Sequence, residues 1–438
     1  MPSISFAVAS HGTVLCEDAF GWADREKRLP ASPRTVYAAG SVAKSITGAA
    51  VFLLVNRDKL RLDATPEQYG VHVPAYAGRG MTIRQLLTMS AGVPHGWFYD
   101  YEPGSHHRDA LNRYAISAFP PGRYFYYSNF SFGVLGEVVE RTARRPFEDF
   151  VGEGLLRPLQ MQSSGFKPSE KNLSTGYESG KAVPRHDFEP VAGGGFYTSA
   201  HDLALFGNFQ LDPSQRLIRP DLMRDMHTVP KGHELDWRYA NGWGVLALDK
   251  DTRVLVSNGR VLGGSAMLLV LPEESVVIAC LTNVSSDATD DLAFQFANVF
   301  SSGFLARLES LRKQVEAAEA PQPFRVNESM RGAWVGTMRT PTRTLPAGLR
   351  FAKDQSEIRV GNRSFVPIKE LRIEQGFVMG EADISIDLPE TRTRTTKLEL
   401  QLQFIDGKRF VGAASTVSTG DLPGFSLPAF ISLVREKH

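Results

Sequence analysis

The chain has 438 residues, with 49 Lys plus Arg against 48 Asp plus Glu, so its net charge at pH 7 is +1. This balance removes the electrostatic attraction that draws basic proteins to nucleic acids and anionic membranes, so neither is expected as a partner. Hydrophobic residues make up 42% of the chain and charged residues 22%, which is typical of a globular protein with room for more than one domain.

The sequence gives no sign of a membrane span, a signal peptide or a required disulfide. No apolar run reaches the roughly 18 to 20 residues of a membrane span. No basic segment followed by an apolar core precedes the first strand, so we predict a cytoplasmic protein, a prediction that fails if an N-terminal segment is missing from the sequence. Cys16 and Cys280 each lie in an apolar, strand-like run. We expect two buried thiols, with a disulfide as the alternative.

The first part of the chain predicts a hairpin followed by one buried helix. Residues 4–9 and 13–20 have the pattern of strands, joined by a turn at His11-Gly12. A helix is predicted over 41–56, where residues 49–55 are apolar on every side, as in a fully buried helix. Shorter helices among Gly- and Pro-rich loops are then expected over 82–89, 131–144, 147–156 and 201–209.

From Gly242 onward the pattern is again strand-like. Strands over 253–257, 266–271 and 276–281 are expected to complete the sheet begun by the hairpin, and an amphipathic helix over 291–317 closes this unit. We therefore predict a first domain over residues 1–319.

The remainder predicts a small all-β domain over residues 326–438, after a Pro-containing linker at 320–325. Residues 397–404 alternate strictly between apolar and polar, and residues 383–388 do so nearly, so both are predicted strands. Asp406-Gly407 predicts a hairpin turn.

The sequence lacks the characteristic motifs of several enzyme classes. It has no Gly-x-Ser-x-Gly elbow, no Gly-x-x-x-x-Gly-Lys phosphate loop, no Gly-x-Gly-x-x-Gly and no His-Glu-x-x-His. We therefore expect neither a metal nor a cofactor.

Ser41 and Lys44 form a Ser-x-x-Lys motif at the start of the buried helix. Residues three apart lie on one helix face, so the lysine can approach the hydroxyl. In an apolar setting lysine is driven toward its neutral form and can accept the serine proton. The motif recurs at 164–167, in a turn, and at 310–313, on a charged helix face. The small residues 38–40 before Ser41 leave room for a substrate, and the helix N-terminus offers N–H groups to an oxyanion.

Tyr127-Ser128-Asn129 is the second candidate. A tyrosine near a lysine ammonium has its phenolate form favoured and can relay protons to a leaving group. Asn129 can bind the lysine or a substrate amide. The alternative is an aromatic core cluster with Asn129 as a helix N-cap. Tyr239-Ala240-Asn241 has the same spacing, so the motif alone is not specific.

These residues carry a family resemblance. Residues 40–47, GSVAKSIT, resemble the active-site helix of the serine β-lactamase and penicillin-binding protein superfamily, in the branch of class C β-lactamases, DD-peptidases, D-aminopeptidases and family VIII esterases. Segment 82–94 is similar to the family's "LLTHTSG" stretch and segment 121–136 to its "PG…YSN…G…LG" stretch. Further matches, in family order, are 58–63, 157–161 and 192–196. The ordered series covers roughly residues 1–300 and is more specific than any single motif.

The resemblance implies an α+β, β-lactamase/transpeptidase-like fold: an antiparallel sheet with helices on both faces plus an all-helical subdomain, followed here by a small C-terminal β-barrel-like domain. It also implies that Ser41 is the acylated nucleophile, Lys44 its activator and Tyr127 the base and acid. Asn129 would contact the substrate carbonyl or Lys44.

The third motif departs from the family. Where the family has Lys-Thr-Gly or His-x-Gly on a strand lining the cleft, this chain has Ser257-Asn258-Gly259, and Ser257 and Gly259 are candidate substrate contacts. Serine cannot supply the positive charge that binds a substrate carboxylate, which argues against a penicillinase or DD-carboxypeptidase. Arg260 is the candidate for that charge, and its backbone N–H is the candidate second oxyanion donor beside that of Ser41. The alternative is that Asn258-Gly259 is a hairpin turn.

The C-terminal domain looks like the lipocalin-like β-barrel appended to several D-peptidases and related hydrolases, and Gly332–Gly336 resembles its opening strand. We expect it to shape or cover the cleft, or to mediate homodimerisation. On the loop after residue 94, the candidates for lining the cleft are His95, Trp97, Tyr99 and Tyr101. The alternative is that they pack the loop onto the body of the protein.

The sequence thus predicts a serine hydrolase that forms an acyl-enzyme on an ester or amide, of the esterase or D-amino-acid peptidase type, with a small-molecule or peptide substrate. Three alternatives stay open. An acyltransferase or peptide cyclase uses the same residues, a β-lactamase is the second alternative, and a non-catalytic binding protein on the same fold is the third.

Overall fold

The computed structural model describes most of the chain. The described ranges are 2–74, 80–100, 114–184, 187–212, 217–230, 239–250, 252–352, 355–374, 376–388, 391, 395–419 and 424–436. Helices and strands alternate up to residue 319, and the described residues after it are mainly in strands.

The helices are α1 (Ala43–Asn56), α2 (Ile83–Leu87), α3 (Asn129–Ala143), α4 (Phe147–Val151), α5 (Val191–Gly194), α6 (Ala200–Leu211), α7 (Pro220–Met226), α8 (Ala288–Phe300) and α9 (Phe304–Glu319). Turns of 3₁₀-helix are Pro66–Tyr69 and Glu170–Asn172, and Gly152–Leu156 is π-helical. In the described part of the chain none of these helices has the length and hydropathy needed to cross a bilayer.

The strands before α9 are β1 (Ile4–Ser10), β2 (Thr13–Phe20), β3 (Trp22–Asp24), β4 (Leu29–Pro30), β5 (Tyr37–Gly40), β6 (Trp97–Asp100), β7 (Tyr177–Glu178), β8 (Lys181–Ala182), β9 (Asp187–Glu189), β10 (Phe196–Thr198), β11 (Gly244–Ala247), β12 (Arg253–Val261), β13 (Gly264–Leu271) and β14 (Val276–Thr282). The strands after α9 are β15 (Gln322–Pro323), β16 (Gly332–Arg339), β17 (Thr344–Phe351), β18 (Ser356–Val360), β19 (Val366–Pro367), β20 (Lys369–Glu374), β21 (Phe377–Ala382), β22 (Thr396–Ile405), β23 (Arg409–Ser418) and β24 (Phe425–Arg435).

A six-stranded antiparallel sheet forms the centre of the first unit. Its order is β11-β12-β13-β14-β1-β2, so the first and last strands of the unit share one sheet. Side chains of β14 alternate between two cores: Val277 and Ala279 pack in the core of α6, whereas Val276, Ile278 and Cys280 pack in the core of α8 and α9. Helices therefore cover both faces, and the predicted α+β fold with an antiparallel sheet is confirmed.

The N-terminal hairpin is confirmed, but one cysteine is not where we expected it. β1 and β2 pair across the turn His11-Gly12, where both residues have positive φ. Cys280 is buried and Cys16 is exposed. The expectation of two buried thiols is wrong for Cys16, because β2 is the edge strand of the sheet and the helices pack over the sheet's centre.

Helix α1 and the last helices differ in detail from their predictions. Residues 43–54 of α1 are all buried, as expected, and the helix begins two residues after Ser41. The single helix predicted over 291–317 is two helices, α8 and α9. Gly303, at φ 71°, separates them, because a left-handed residue cannot continue an α-helix.

The C-terminal unit is a curled sheet in the order β15-β20-β21-β22-β23-β24-β16-β17-β18-β19. Among the described residues its end strands β15 and β19 do not pair, so the sheet is a half-barrel. The strand predicted over 397–404 and the turn at Asp406-Gly407 are confirmed. Residues 383–388 form no ladder, so that prediction is wrong: Ile384, Ile386 and Leu388 are buried alternately in an extended segment without a partner strand. The segment predicted as a linker contains β15, which pairs with β20.

Main-chain pairing joins the two units. Strand β6 pairs on one side with β24 of the C-terminal sheet and on the other with β9. Residues 97–100, which follow residue 94 in the chain, thereby join the C-terminal sheet.

Candidate active site

Ser41, Lys44 and Tyr127 form a continuous hydrogen-bonded chain. The Nζ atom of Lys44 lies 2.9 Å from Oγ of Ser41, and Oη of Tyr127 lies 2.7 Å from the same Oγ. Ser41 stands in the two-residue connection between β5 and α1, so the first turn of α1 places Lys44 directly beneath it. The serine hydroxyl therefore has a nitrogen on one side and a phenol on the other.

Lys44 is buried with its polar atom fully partnered. The side chain is 2% exposed, and Nζ also lies 2.6 Å from Oδ1 of Asn129 and 2.6 Å from the carbonyl oxygen of Gly193. Burial lowers the pKa of Lys44 well below its usual range. A neutral amine has two N–H groups and one lone pair. In this neutral form the oxygens of Asn129 and Gly193 accept the two N–H groups of Lys44, which leaves its lone pair for the Ser41 hydroxyl.

Tyr127 lies just before α3 and faces the cavity in front of Ser41. Its ring is 38% exposed, but into a recess surrounded by protein, and this burial raises the pKa of Tyr127 to about 12 although the hydrogen bond to Ser41 acts in the opposite direction. The expectation of a favoured phenolate is therefore wrong for this arrangement. Burial disfavours the charged form of Lys44, and Nζ of Lys44 lies over the Tyr127 ring, 4.7 Å from its centroid.

Strand β12 passes so close to Ser41 that it needs glycine. A β-carbon on Gly259 would lie 1.9 Å from the carbonyl oxygen of Ala39 and 2.6 Å from the Ser41 nitrogen. Asn258-Gly259 lies inside the strand, and the turn to β13 is at residues 262–263, so the hairpin-turn alternative for Asn258-Gly259 is wrong.

The register of β12 determines where the Arg260 N–H points. Val261 faces Gly264 across a two-residue turn, which makes them a hydrogen-bonded pair. Pairs alternate along an antiparallel ladder, so Arg260 and Ser265 form a non-hydrogen-bonded pair, and the Arg260 N–H points away from β13. β11 pairs only with residues 253–256, and the edge of β12 at Arg260 therefore opens toward the cavity.

The side chains of Ser257 and Arg260 place no unpaired charge at the cavity. Ser257 is 5% exposed and its Oγ lies 2.8 Å from Oγ of Ser45, beneath the cleft rather than in it. The expectation that Ser257 contacts substrate is not met by this placement, because its side chain is on the face of β12 that packs against α1. The Arg260 guanidinium forms an ion pair with Asp287 at the surface.

The cavity in front of Ser41 has a volume of about 630 Å³. Its lining residues, among those that the structure describes, are Ser41, His95, Trp97, Phe125, Tyr126, Tyr127, Asn129, Phe188, Gly194, Tyr239, Asn258, Gly259, Arg260 and Val261. The predicted candidates His95, Trp97 and Gly259 thus lie at the cavity. For Tyr99 the structure describes the backbone, in β6, and Tyr101 lies outside the described residues.

His95 is a neutral member of the wall. Its ring centroid lies 5.5 Å from that of Tyr127. Burial lowers the pKa of His95 to about 3. The ring therefore adds no positive charge at neutral pH.

Sequence reasoning missed several groups of this site. The Gly193 carbonyl is a main-chain group, which a side-chain motif does not indicate, although the Gly-rich run at 192–196 matches the family. Tyr239 repeats the Tyr-x-Asn spacing, and it also lines the cavity and packs on Phe125 at 5.8 Å between ring centroids.

The other two Ser-x-x-Lys motifs have different surroundings. Oγ of Ser164 lies 2.8 Å from an oxygen of Asp202, and Lys313 pairs with Glu309 on the exposed face of α9. Within the described ranges, no three His, Cys, Asp or Glu side chains are grouped so that they could hold a metal ion.

Comparison with known proteins places this geometry in a family. A model of the Beta-lactamase family matches residues 1–297. The chain belongs to the Beta-lactamase family. Protein flp of Staphylococcus aureus (strain MW2) is 25% identical over 307 residues, which are 66% of this chain and 60% of that protein. The chain thus spans about 60% of the length of these curated relatives. The human mitochondrial serine beta-lactamase-like protein LACTB is 22% identical, over 68% of this chain and 76% of that one.

The similarity to solved structures covers both the first unit and the C-terminal unit of this chain. An octameric penicillin-binding protein homologue from Pyrococcus abyssi is 20% identical with a TM-score of 0.60, covering 98% of this chain and 96% of that chain. A structure described as SurE with D-Leu is 20% identical with a TM-score of 0.59, covering 99% and 95%. These likenesses establish the fold, and with the family match they confirm the resemblance to the serine β-lactamase and penicillin-binding protein superfamily.

Proposed function

We propose that this chain is a serine hydrolase that acylates Ser41 with the acyl group of an uncharged ester or amide. The observation that carries the proposal is the hydrogen-bonded chain from Tyr127 through Ser41 to a buried Lys44. A serine hydroxyl is a weak nucleophile unless a neighbouring base removes its proton. Neutral Lys44, with its lone pair directed at Oγ, is that base.

Acylation moves two protons. As Oγ of Ser41 bonds to the substrate carbonyl carbon, its proton passes to Nζ of Lys44. When the bond to the leaving group breaks, the hydroxyl of Tyr127 gives its proton to the leaving oxygen or nitrogen. The phenolate so formed lies close to the new ammonium of Lys44, since Nζ is 4.7 Å from the ring centroid.

Deacylation reverses the roles. The Tyr127 phenolate takes a proton from the attacking water, and the ammonium of Lys44 returns a proton to Oγ as the acyl group leaves. Both residues then regain their neutral forms, and the acid product departs.

Two backbone N–H groups, of Ser41 and Arg260, are the proposed donors to the oxyanion. The Arg260 N–H points to the open edge of β12, and the close approach at Gly259 brings that strand against the Ser41 nitrogen. Donors held before the reaction begins stabilise the charge that develops on the carbonyl oxygen. The loss of one such donor typically costs about 10²–10³ in kcat.

The charges around the cavity favour uncharged substrates. The guanidinium of Arg260 is paired with Asp287, His95 is neutral and Ser257 is buried beneath the cleft. Among the described residues that line the cavity, a substrate carboxylate would lose its water without gaining a cation that is free of an ion-pair partner. Esters and amides without a carboxylate are therefore the favoured class, which ranks esterase or uncharged-peptide substrates above β-lactams.

The proposal is tested by comparing a neutral p-nitrophenyl ester with a chromogenic cephalosporin, which bears a carboxylate. We expect the ester to be hydrolysed at a rate that Ser41→Ala abolishes, and the cephalosporin to be turned over far more slowly. Preferential turnover of the cephalosporin would overturn the substrate class. Added amines or alcohols in the same assay detect acyl transfer, which would appear as amide or ester product in place of the acid.

A further inference from the structure

The last strand of the chain reaches the wall of the cavity. In β24, Phe425 pairs with Phe98 and Ser426 pairs with Trp97 of β6. Trp97 lines the cavity in front of Ser41. A wall residue is thereby carried on a strand whose main chain pairs with the C-terminal unit.

The Trp97 ring is seated directly on that unit. A β-carbon placed on Gly424 would lie 2.7 Å from Cη2 and 3.1 Å from Cζ3 of Trp97. Gly424 does not have positive φ, so glycine is needed there for space and not for backbone conformation. The outer edge of the Trp97 indole thus occupies the space that a side chain at Gly424 would fill.

The C-terminal unit also supports Tyr126, a second residue of the cavity wall. Phe377, at the start of β21, is buried against Phe119, Tyr124 and Tyr126, with ring centroids 4.9, 5.3 and 6.1 Å apart. Tyr126 lines the cavity and directly precedes Tyr127. The C-terminal unit therefore packs behind two separate parts of the cavity wall.

The same strand ladder continues to the support of Lys44. The backbone of β6 pairs with that of β9, with Tyr99 opposite Phe188 in the register. A β-carbon on Gly194 would lie 2.3 Å from Cε1 of Phe188, and the neighbouring Gly193 carbonyl accepts a hydrogen bond from Nζ of Lys44. Backbone pairing and packing thus run from β24 through β6 and β9 to the residues beneath Ser41.

We infer that the C-terminal unit completes the acyl pocket: by seating Trp97 on Gly424 and Tyr126 on Phe377, it determines which acyl groups Ser41 accepts. The inference rests on the proposed function. The walls that the unit supports are aromatic, so the acyl groups selected are apolar ones large enough to reach Trp97. Gly424 and Phe377 act through Trp97 and Tyr126 and are positioning residues.

The test compares two glycine substitutions that crowd a side chain equally. Gly424→Ala places its β-carbon 2.7 Å from Trp97, and the control Gly380→Ala, in β21, places its β-carbon 2.7 Å from Cγ2 of Ile368, away from the cavity. The readout is the ratio of kcat/KM for p-nitrophenyl phenylacetate to that for p-nitrophenyl acetate. We expect Gly424→Ala to change this ratio about tenfold, the low end of what one methylene group in a pocket is worth. Gly380→Ala should leave the ratio at the wild-type value.

A second pair of variants covers the case in which Gly424→Ala does not fold. Phe377→Leu removes the ring behind Tyr126, and its control Phe351→Leu changes a buried ring of the same unit that packs on Phe324 and Phe410. If the ratio of kcat/KM values changes equally in variant and control, or changes in neither, the inference is overturned. Ester hydrolysis at Ser41 would in that case still support the proposed function. A wild-type protein that neither hydrolyses the esters nor is acylated at Ser41 overturns both.

Discussion

Oδ1 of Asn129 lies 2.6 Å from Nζ of Lys44, and this contact joins the first residue of α3 to the first turn of α1. The amide oxygen accepts a hydrogen bond without bringing a negative charge. It therefore satisfies the buried amine and leaves burial free to lower the pKa of Lys44. A carboxylate at this position would have the opposite effect.

The first prediction follows from that contact. Asn129→Asp places a carboxylate beside Nζ, which favours the ammonium and raises the pKa of Lys44. The acid limb of the pH profile of kcat/KM for a neutral ester should move to higher pH, because the free amine is the base. Asn56→Asp, at the far end of α1, is the control and should leave the limb in place. An acid limb that stays unchanged in Asn129→Asp would show that Lys44 is not the titrating base.

The second prediction concerns stability and pH. Between the lowered pKa of Lys44 in the folded protein and the usual lysine pKa of about 10.4, the unfolded chain holds a proton that the folded chain lacks. The free energy of unfolding should therefore rise with pH across this window, by about 1.4 kcal/mol per pH unit from this residue. Lys44→Met removes that contribution.

Urea denaturation of both proteins at several pH values measures the difference. The free energy of unfolding of wild type minus that of Lys44→Met should increase as pH rises toward the usual lysine pKa, and the exposed control Lys59→Met should show no such slope. Parallel curves for wild type and Lys44→Met would mean that Lys44 stays charged when buried.

The third prediction uses the leaving group to test Tyr127. Tyr127→Phe keeps the ring and removes the proton donor. For an alkyl ester, whose leaving oxygen needs a proton, we expect kcat/KM, which reports the acylation step, to fall by about 10²–10⁴. For the p-nitrophenyl ester of the same acid the loss should be much smaller, since nitrophenolate leaves without protonation. Tyr124→Phe is the control, and equal losses for both esters of Tyr127→Phe would contradict the assignment.

The fourth prediction concerns the ion pair between Arg260 and Asp287. Asp287→Asn releases the guanidinium at the rim of the cavity. Activity toward an ester with a carboxylate, relative to its neutral analogue, should rise by about two- to fivefold, as expected for an exposed charge. Raising the salt concentration should reduce the gain. An unchanged ratio would show that the Arg260 side chain does not approach bound substrate.

Much of the fold was predictable because its signals are local. Strand-like runs and turn residues indicated the strands of the first sheet, and the all-round apolar run indicated α1. The errors have physical causes: an apolar run in edge strand β2 does not imply a buried Cys16, and Gly303 divides a helix whose apolar pattern continues across it.

The site was predictable in its motifs and not in its long-range contacts. Spacing on a helix related Ser41 to Lys44, and the Tyr-x-Asn motif together with the family resemblance indicated Tyr127 and Asn129. Nothing local relates β24 to β6, or the Gly193 carbonyl to Lys44, because strand pairing and main-chain acceptors depend on the whole fold. The direction of the Arg260 N–H required the register of β12.

The most direct test is covalent labelling. Purified protein is treated with a fluorophosphonate probe, and the adduct is located by peptide mass spectrometry in wild type, Ser41→Ala and Ser310→Ala, the last being the serine of another Ser-x-x-Lys motif, exposed on α9. We predict an adduct on Ser41 in wild type and in Ser310→Ala, and none in Ser41→Ala. Folded wild-type protein without an adduct on Ser41 would contradict the account and indicate a binding protein on the same fold.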